Sequence, residues 1–191
     1  PSPELAVSVP LEVGGKLYTA TGYSQLRAFD AVTGKLAWHY DPKVTGVRMR
    51  GGWGVRGLAW WQGHVIAGTA DGRLISVDAA TGKPAWSTQT VPAGSSLFIA
   101  GAPRVFGDKV IIGNGGGDFG LNRGFVTAYD VATGKKLWRF YLVPGKPGTK
   151  DGEVSDPQME IAAKTWHGEW WKWGGGGTVW NAITYDAEFN T

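Results

Sequence analysis

The 191-residue sequence contains no cysteine, so the chain is free of disulfides. It has three histidines, His39, His64 and His167, which lie far apart and lack the spacing of zinc ligands. The apolar runs are only a few residues long, far below the ~20 residues that cross a bilayer. No charged-then-apolar leader opens the sequence, so we expect any export signal to lie upstream of it.

The net charge is also small, because the 19 lysines and arginines are nearly balanced by 16 aspartates and glutamates, which leaves a formal charge of +3. The basic residues are scattered and are not interleaved with aromatic residues, which argues against a nucleic-acid partner. Glycine and tryptophan are abundant instead, with 31 and 11 residues. Short β-prone runs separated by glycine turns predict an all-β protein.

One eleven-residue unit occurs three times, as AFDAVTGKLAW at 28–38, SVDAATGKPAW at 76–86 and AYDVATGKKLW at 128–138. The copies recur after 48 and then 52 residues, a period typical of propeller blades. In each unit the aspartate can accept backbone N–H groups within a hairpin turn, and the glycine supplies the positive φ that closes it. The final tryptophan is predicted to pack between neighbouring blades.

The repeats predict four-stranded antiparallel blades at approximately 7–41, 56–90 and 101–143, with the first strand of a fourth at 176–186. All of 1–191 is therefore predicted to be a single partial β-propeller domain. Three blades and one strand cannot close a ring, and an open arc exposes an unpaired strand edge. We therefore expect the chain to be part of a longer polypeptide and not to fold stably alone.

An insertion at 114–124 lies between the second and third strands of the third blade, where the second blade has only 71–73. Extra length in one loop of a repeat protein often carries function. Its three consecutive glycines let the backbone approach a ligand closely, and the Asp118 that follows could hold a hard cation. The alternative interpretation is a flexible glycine-rich loop with a solvated aspartate.

A second glycine run lies within TWHGEWWKWGGGGTVW at 165–180, which has five tryptophans and four successive glycines. A flat ligand can stack on an indole face while the glycines leave room for it. Packing in a core or interface explains the first four tryptophans better. Trp180 is the stronger candidate for a ligand contact, because it directly follows the glycines on a predicted strand.

The sequences GAPRVFGDKVIIGNGGGDFGLNRGFVTAYDVATGKKLWRFYLVPG and AAKTWHGEWWKWGGGGTVWNAITYD strongly resemble the pyrroloquinoline quinone-dependent alcohol dehydrogenases, including the quinohaemoprotein type. The likeness covers essentially the whole chain. It implies an eight-bladed β-propeller whose blades are joined by tryptophan-docking motifs. It also implies periplasmic oxidation of primary alcohols to aldehydes, with electrons passed to cytochrome c or a membrane quinone.

By the same resemblance, five positions would contact the quinone cofactor: Arg56, Gly116, Gly117, Thr178 and Trp180. The arginine would pair with a carboxylate of the cofactor, the threonine would hydrogen-bond it, and the indole would form the floor beneath its plane. Asp118 stands where the family has a glutamate that binds calcium. A lanthanide instead of calcium remains an alternative for the bound metal. The metal would act as a Lewis acid on a quinone carbonyl. A haem c could lie in a domain outside this chain.

Several positions depart from the family pattern. Most members carry two adjacent cysteines that form a vicinal disulfide over the cofactor, whereas this sequence has Arg50-Gly51 there. A family glutamate falls on Val7, a cofactor-binding threonine falls on Ala100, and Asn122 is an apparent insertion after the metal-binding position. The catalytic aspartate and the metal-binding asparagine of the family would lie beyond the last residue of this sequence.

Two other functions stay open. A non-catalytic scaffold propeller of the cell envelope, like the lipoprotein of outer-membrane assembly, has similar repeats. Such a scaffold would not need the glycine-rich insertion, Arg56 and Trp180 together. A degenerate homologue that kept the fold and lost the cofactor is the third interpretation, suggested by the departures. The residues downstream of this sequence would distinguish the three interpretations, according to whether they include a metal-binding asparagine and a catalytic aspartate.

Overall fold

In the computed structural model, residues 8–45, 55–117 and 120–191 are described. The first sheet contains β1 (Leu11–Val13), β2 (Lys16–Ala20), β3 (Leu26–Asp30) and β4 (Leu36–Tyr40). The second contains β5 (Ala59–Trp61), β6 (His64–Gly68), β7 (Arg73–Asp78) and β8 (Pro84–Gln89). The third contains β9 (Arg104–Phe106), β10 (Lys109–Gly113), β11 (Phe125–Asp130) and β12 (Lys136–Tyr141).

Each sheet is an antiparallel meander in chain order, so the three sheets confirm the four-stranded blades predicted from the repeats. The first strands of neighbouring blades come closest to one another, as β5 and β9 do. Since blades converge toward the axis of a propeller, the first strand of each sheet is the inner one.

The repeated unit closes the hairpin between the third and fourth strands in the same way in every blade. In the second blade, the Asp78 carboxylate accepts hydrogen bonds from the backbone N–H and the hydroxyl of Thr81, at 2.7 and 2.6 Å. Gly82 follows with φ +72°, and its N–H donates to the Asp78 carbonyl at 2.8 Å. These bonds stabilise the ionised carboxylate, with that from the Thr81 hydroxyl the largest effect, so they lower the pKa of Asp78 below its ordinary value.

A β-bulge recurs just before the repeated tryptophan. Ala28 pairs with Trp38 whereas Phe29 pairs with Leu36, so Ala37 is the extra residue on β4. The same register shift occurs between β7 and β8 and between β11 and β12. A bulge increases the local twist of the strand, and here it re-aims the tryptophan that follows.

The tryptophans dock each blade onto the next, as predicted. The Trp38 indole N–H of the first blade donates to the Ala79 carbonyl of the second at 2.9 Å, and its ring lies against Gly82. A Cβ at Gly82 would come within 2.7 Å of that ring, so the turn glycine is needed for space as well as for its φ. Trp86 of the second blade repeats the contact on the third, donating to the Val131 carbonyl at 3.1 Å.

Apolar side chains fill the two spaces between the three blades. One buried cluster joins the first and second blades, with Leu26 and Ile75 among its members. The other joins the second and third blades, with Ile66 and Ile112 among its members. The middle blade is covered on both faces, which explains why consecutive residues of β6 and β7 are buried without alternation, Ser76 included.

The last part of the chain differs from the prediction. Residues 176–186, predicted to contain the first strand of a fourth blade, form no strand. The Arg104 guanidinium donates to the Ile183 carbonyl at 2.7 Å, and the Tyr185 ring stacks on Phe106 at 4.2 Å. The segment is thus held against β9 by side chains. Apart from an isolated bridge at Gly176, no described segment pairs along its backbone, and a strand requires such a neighbour.

The connection after β12 contains a helix that the sequence analysis did not predict, α1 (Asp156–Ala162), and a 3-10 turn at Trp170–Trp173. Among the described residues, none of the helices has the length and apolar character that a bilayer crossing requires.

All the long connections leave from one face of the arc. The turn that carries the repeat joins the third and fourth strands of each blade. The second and fourth strands both end on the opposite side of the blade from this turn. The described part of the insertion at 114–124 and the beginnings of the connections that follow β4, β8 and β12 therefore lie on the same face. We call it the connection face.

Candidate cofactor site

Arg56 and Trp180 meet on the connection face although 124 residues separate them. The Arg56 guanidinium donates to the Trp180 carbonyl at 3.2 Å, and its central carbon lies 4.6 Å from the centre of the indole. No carboxylate among the described residues lies within ion-pair distance of Arg56. Within the described part of the chain, Arg56 is therefore a cation without an anionic partner beside an aromatic face.

The backbone of Arg56 is held by both neighbouring blades. The Val9 N–H, just before β1, donates to the Arg56 carbonyl at 2.9 Å. The Arg56 N–H in turn donates to the carbonyl of Ala100, before β9, at 3.0 Å. These bonds link the entry segments of three successive blades, so the scaffold sets the position of the arginine.

Gly117 and Thr178 also come together. A Cβ at Gly117 would lie 3.0 Å from both the hydroxyl and the methyl group of Thr178, so only glycine allows this approach without displacement. The Thr178 hydroxyl has no hydrogen-bond partner among the described residues. The same holds for the N–H groups of Gly116 and Gly117, within the same limits. Unpaired donors thus line the junction of the two glycine runs.

A row of four glycines receives the backbone of 177–180. Gly124 lies against Gly177, Gly117 against Thr178, Gly113 against Val179 and Gly101 against Trp180. At Gly113 and Gly124 an added Cβ would overlap the facing backbone outright. The glycines of the third blade therefore form a shallow track that fixes where Thr178 and Trp180 lie.

The second glycine run requires glycine both for its backbone conformation and for its close packing. Its four residues, Gly174 to Gly177, have consecutive φ values from +67° to +78°, a conformation that other residues adopt only with strain. A Cβ at Gly174 would overlap the backbone of Leu121–Asn122, and one at Gly175 would overlap Val143. The run is therefore pressed onto the insertion and onto the strand end of the third blade.

The comparisons with known proteins identify the family. The family model described as "PQQ: Glucose/ethanol/alcohol dehydrogenase, beta-propeller domain" matches residues 2–191. The chain belongs to this pyrroloquinoline quinone (PQQ) dehydrogenase family. The resemblance stated from the sequence, and the partial propeller fold, are both confirmed.

Individual members of the family are closely similar over nearly the whole chain. Quinohemoprotein alcohol dehydrogenase ADH IIB of Pseudomonas putida is 49% identical over 96% of this chain and 26% of its own length. The dehydrogenase subunit of alcohol dehydrogenase (quinone) from Gluconobacter oxydans is also 49% identical, over 93% of this chain and 25% of its own. The crystal structure of quinohemoprotein alcohol dehydrogenase from Comamonas testosteroni superposes with a TM-score of 0.88 at 44% identity, covering 97% of this chain and 28% of that one. The chain thus spans about a quarter of the length of these relatives.

The site suits the cofactor that gives the PQQ family its name. That molecule is flat and carries three carboxylates, so it needs an aromatic face, a cation and backbone or hydroxyl donors. Trp180, Arg56, Thr178 and the Gly116–Gly117 amides offer these groups on one face of the arc. A largely apolar recess of about 370 Å³ adjoins Arg56 and is lined by Leu11 of β1, by Leu58 just before β5 and by Ala102 just before β9.

Two of the sequence expectations take a different form in this PQQ-family chain. Trp180 does not lie on a strand, because its segment has no pairing partner among the described residues. Of the four tryptophans expected to pack, Trp166, Trp170 and Trp171 form a ring cluster, and the Trp170 N–H donates to the Pro144 carbonyl at 2.8 Å. Trp173, by contrast, is 73% exposed.

The predicted metal ligand Asp118 lies outside the described residues, as do Val7 and Arg50-Gly51. Ala100 is described, and its carbonyl accepts the Arg56 N–H at 3.0 Å. Its side chain has no group that could replace the hydroxyl of the family threonine.

Residues that the sequence analysis did not assign to the site hold its parts together. Buried Asn114 accepts the Phe125 N–H at 2.9 Å and so closes the base of the insertion. Arg123 pairs with Asp151 through two hydrogen bonds of 2.8 and 3.0 Å, and it also donates to the Val143 carbonyl. This pair ties the insertion to the connection after β12. The arginine beside the loop was visible in the sequence, but its partner 28 residues away was not.

Proposed function

We propose that the intact protein oxidises primary alcohols to aldehydes, using PQQ as the immediate electron acceptor. The observation that carries the proposal is the convergence of Arg56, Thr178 and Trp180 on one face, from segments far apart in the sequence. The matched relatives are named alcohol dehydrogenases, which supports the substrate class. Electrons would then pass to a cytochrome c or a membrane quinone, in the periplasm.

Each side chain has a separate part in binding the cofactor. Arg56 would pair with one of its carboxylates, since its exposed guanidinium lies beside Trp180 and has no other anionic partner among the described residues. The Trp180 indole would support the plane of the ring system, and Thr178 with the Gly117 backbone would donate or accept at its edge. When bound, the quinone supplies the two-electron acceptor that alcohol oxidation requires. We assign no catalytic base to the described residues.

Asp118 is proposed as an oxygen ligand of a divalent cation, with calcium as the first choice and a lanthanide as the alternative. Gly117, which directly precedes Asp118 in the sequence, lies against Thr178, and this supports the proposal. A carboxylate suits a hard cation, and the cation would stand beside the quinone. The haem implied by the name quinohemoprotein would belong to a part of the protein outside this chain.

The direct test is cofactor reconstitution of the intact protein. A chelator removes metal and quinone, and PQQ is then added back with calcium or with a lanthanide while tryptophan fluorescence is followed. We expect saturable quenching and recovery of alcohol-dependent dye reduction. If neither cation allowed the quinone to bind, the proposal would be wrong, and a scaffold or a degenerate homologue would be favoured.

A further inference from the structure

The insertion and the second glycine run are joined mainly through one residue, Asn122. Its side-chain NH₂ donates to the Gly116 carbonyl at 2.7 Å and to the Ser96 hydroxyl at 3.0 Å. Its backbone carbonyl accepts the Gly176 N–H at 3.1 Å. The side chain and the backbone of Asn122 therefore bind two different walls of the candidate site.

These contacts lie next to the two residues that approach each other in the site. Gly116 directly precedes Gly117, and Gly176 lies two residues before Thr178. The Gly124 N–H adds a bond to the Gly176 carbonyl at 2.6 Å, so 122–124 form a short bridge along the glycine run. Asn122 thus sets the distance between Gly117 and Thr178 from both sides.

An asparagine meets this geometry where most side chains would not. Its side chain must donate a hydrogen bond to the Gly116 carbonyl. An aspartate oxygen would be repelled by that carbonyl, and an aliphatic side chain has no donor to offer it. The Ser96 hydroxyl also donates back to the Asn122 side-chain oxygen at 3.4 Å, which orients the amide.

We propose that Asn122 is a positioning residue for the cofactor site: it fixes the Gly116–Gly117 backbone against the Gly176–Thr178 backbone. It touches neither the proposed metal nor the quinone in this role. The functional consequence rests on the proposed function, whereas the structural part does not. When Asn122 cannot donate, the two glycine segments separate more readily and their unpaired donors are no longer held in place.

The test uses the intact protein stripped of metal and quinone, with Asn122→Asp as the variant because it keeps the shape and removes the donor. Asn190→Asp makes the same chemical change at an exposed, distant position and is the matched control. Ser96→Ala removes the second acceptor and leaves the bond to Gly116. Hydrogen exchange is followed at the amides of Gly115, Gly124 and Gly176, each of which is hydrogen-bonded in this region.

We expect these amides to exchange about tenfold faster in Asn122→Asp, since one hydrogen bond contributes roughly a factor of ten, and to be unchanged in Asn190→Asp. Equal protection in the variant and the parent would overturn the positioning role, whatever the protein binds.

The second measurement is PQQ affinity by fluorescence quenching, at saturating calcium. We expect Asn122→Asp to bind about tenfold more weakly and Ser96→Ala to stay closer to the parent. Faster exchange with unchanged quinone affinity would show that the bridge does not serve the site. If the parent itself bound no quinone, the proposed function would fail, and the exchange result would still decide whether Asn122 joins the two walls.

Discussion

At the scale of single residues, Arg56 is the group whose surroundings most strongly suggest an anionic ligand. Its backbone is fixed by two hydrogen bonds, from Val9 and to Ala100, while the hydrogen bond that its guanidinium makes among the described residues goes to the Trp180 carbonyl. A structural arginine in this fold looks different. Arg123, for example, has a bidentate aspartate and a backbone carbonyl as partners.

Arg56→Ala should weaken PQQ binding by the intact protein roughly 10- to 150-fold, because a charge-assisted hydrogen bond contributes ~1.5–3 kcal/mol. Arg56→Lys keeps the charge, loses the planar fork and should fall between the parent and the alanine variant. Arg27→Ala, on β3 of the first blade, removes an arginine elsewhere and should bind as the parent does. Fluorescence titration provides the three constants, and parental affinity in Arg56→Ala would remove Arg56 from the site.

Asp118 leads to a prediction about the metal. Its side chain is one methylene shorter than the glutamate of the family pattern and reaches roughly 1.5 Å less, about one carbon–carbon bond. If it ligates calcium, Asp118→Glu should increase calcium affinity and calcium-dependent activation of the intact protein. Metal titration measures this change. Asp118→Ala with the metal content and activity of the parent would show that Asp118 is a solvated loop residue.

At the scale of elements, the blade is defined by a hairpin turn, a bulge and a docking tryptophan that recur together. The turn glycine belongs to both the hairpin and the interface, since Gly82 and Gly134 take positive φ and also receive the indole of the preceding blade. The docking contact thus depends on a correctly formed turn in the next blade. This coupling explains why the whole unit recurs with its spacing unchanged.

Trp86→Phe should lower the free energy of unfolding by about 1–3 kcal/mol, because it removes the hydrogen bond to Val131 and leaves a gap between the second and third blades. Trp173→Phe is the matched control, since Trp173 is 73% exposed and its change should stay within about 0.5 kcal/mol. Denaturant unfolding of the intact protein measures both. Equal effects of the two substitutions would contradict the docking role.

At the scale of the whole molecule, three equivalent aspartates respond to acid together. Asp30, Asp78 and Asp130 each have a pKa lowered from the ordinary 3.8, because a threonine three residues later donates from its backbone and its hydroxyl. The folded state therefore prefers the ionised form more than the unfolded state does. This contribution to stability is present above pH 3.8 and is lost as the pH falls through the lower folded values.

We therefore expect the unfolding midpoint of the intact protein to fall as the pH is lowered from about 5 to about 2, and to fall less in Asp78→Asn. The asparagine keeps an oxygen acceptor for the Thr81 donors and has no proton to gain. Thermal unfolding followed by circular dichroism at each pH measures the difference. A pH dependence identical to that of the parent would show that this turn does not contribute.

Much of the fold could be predicted because the repeated unit is local. The aspartate, glycine and tryptophan lie within eleven residues, and their hydrogen bonds and φ values recur in every blade. From the residues alone, the sequence offered Trp180 as a ligand contact and Asp118 as a cation ligand, whereas Arg56 and Thr178 were selected only through the family resemblance. The sequence contains two glycine runs, but nothing in it indicates that they contact each other in the fold.

The sequence by itself therefore determined the blades, their order and their docking tryptophans, since short-range turns and alternating burial encode them. Only the tertiary structure decided what the glycines are for. Gly113, Gly117 and Gly124 admit the backbone of 177–180, while the run from Gly174 to Gly177 takes a left-handed path onto Leu121–Asn122. The role of each glycine depends on which backbone segment lies opposite it. That segment is more than fifty residues away in the sequence. For the same reason 176–186 forms no strand: strand pairing needs a neighbour, and beyond the isolated bridge at Gly176 this segment is held by side chains such as Arg104 and Phe106 of the third blade.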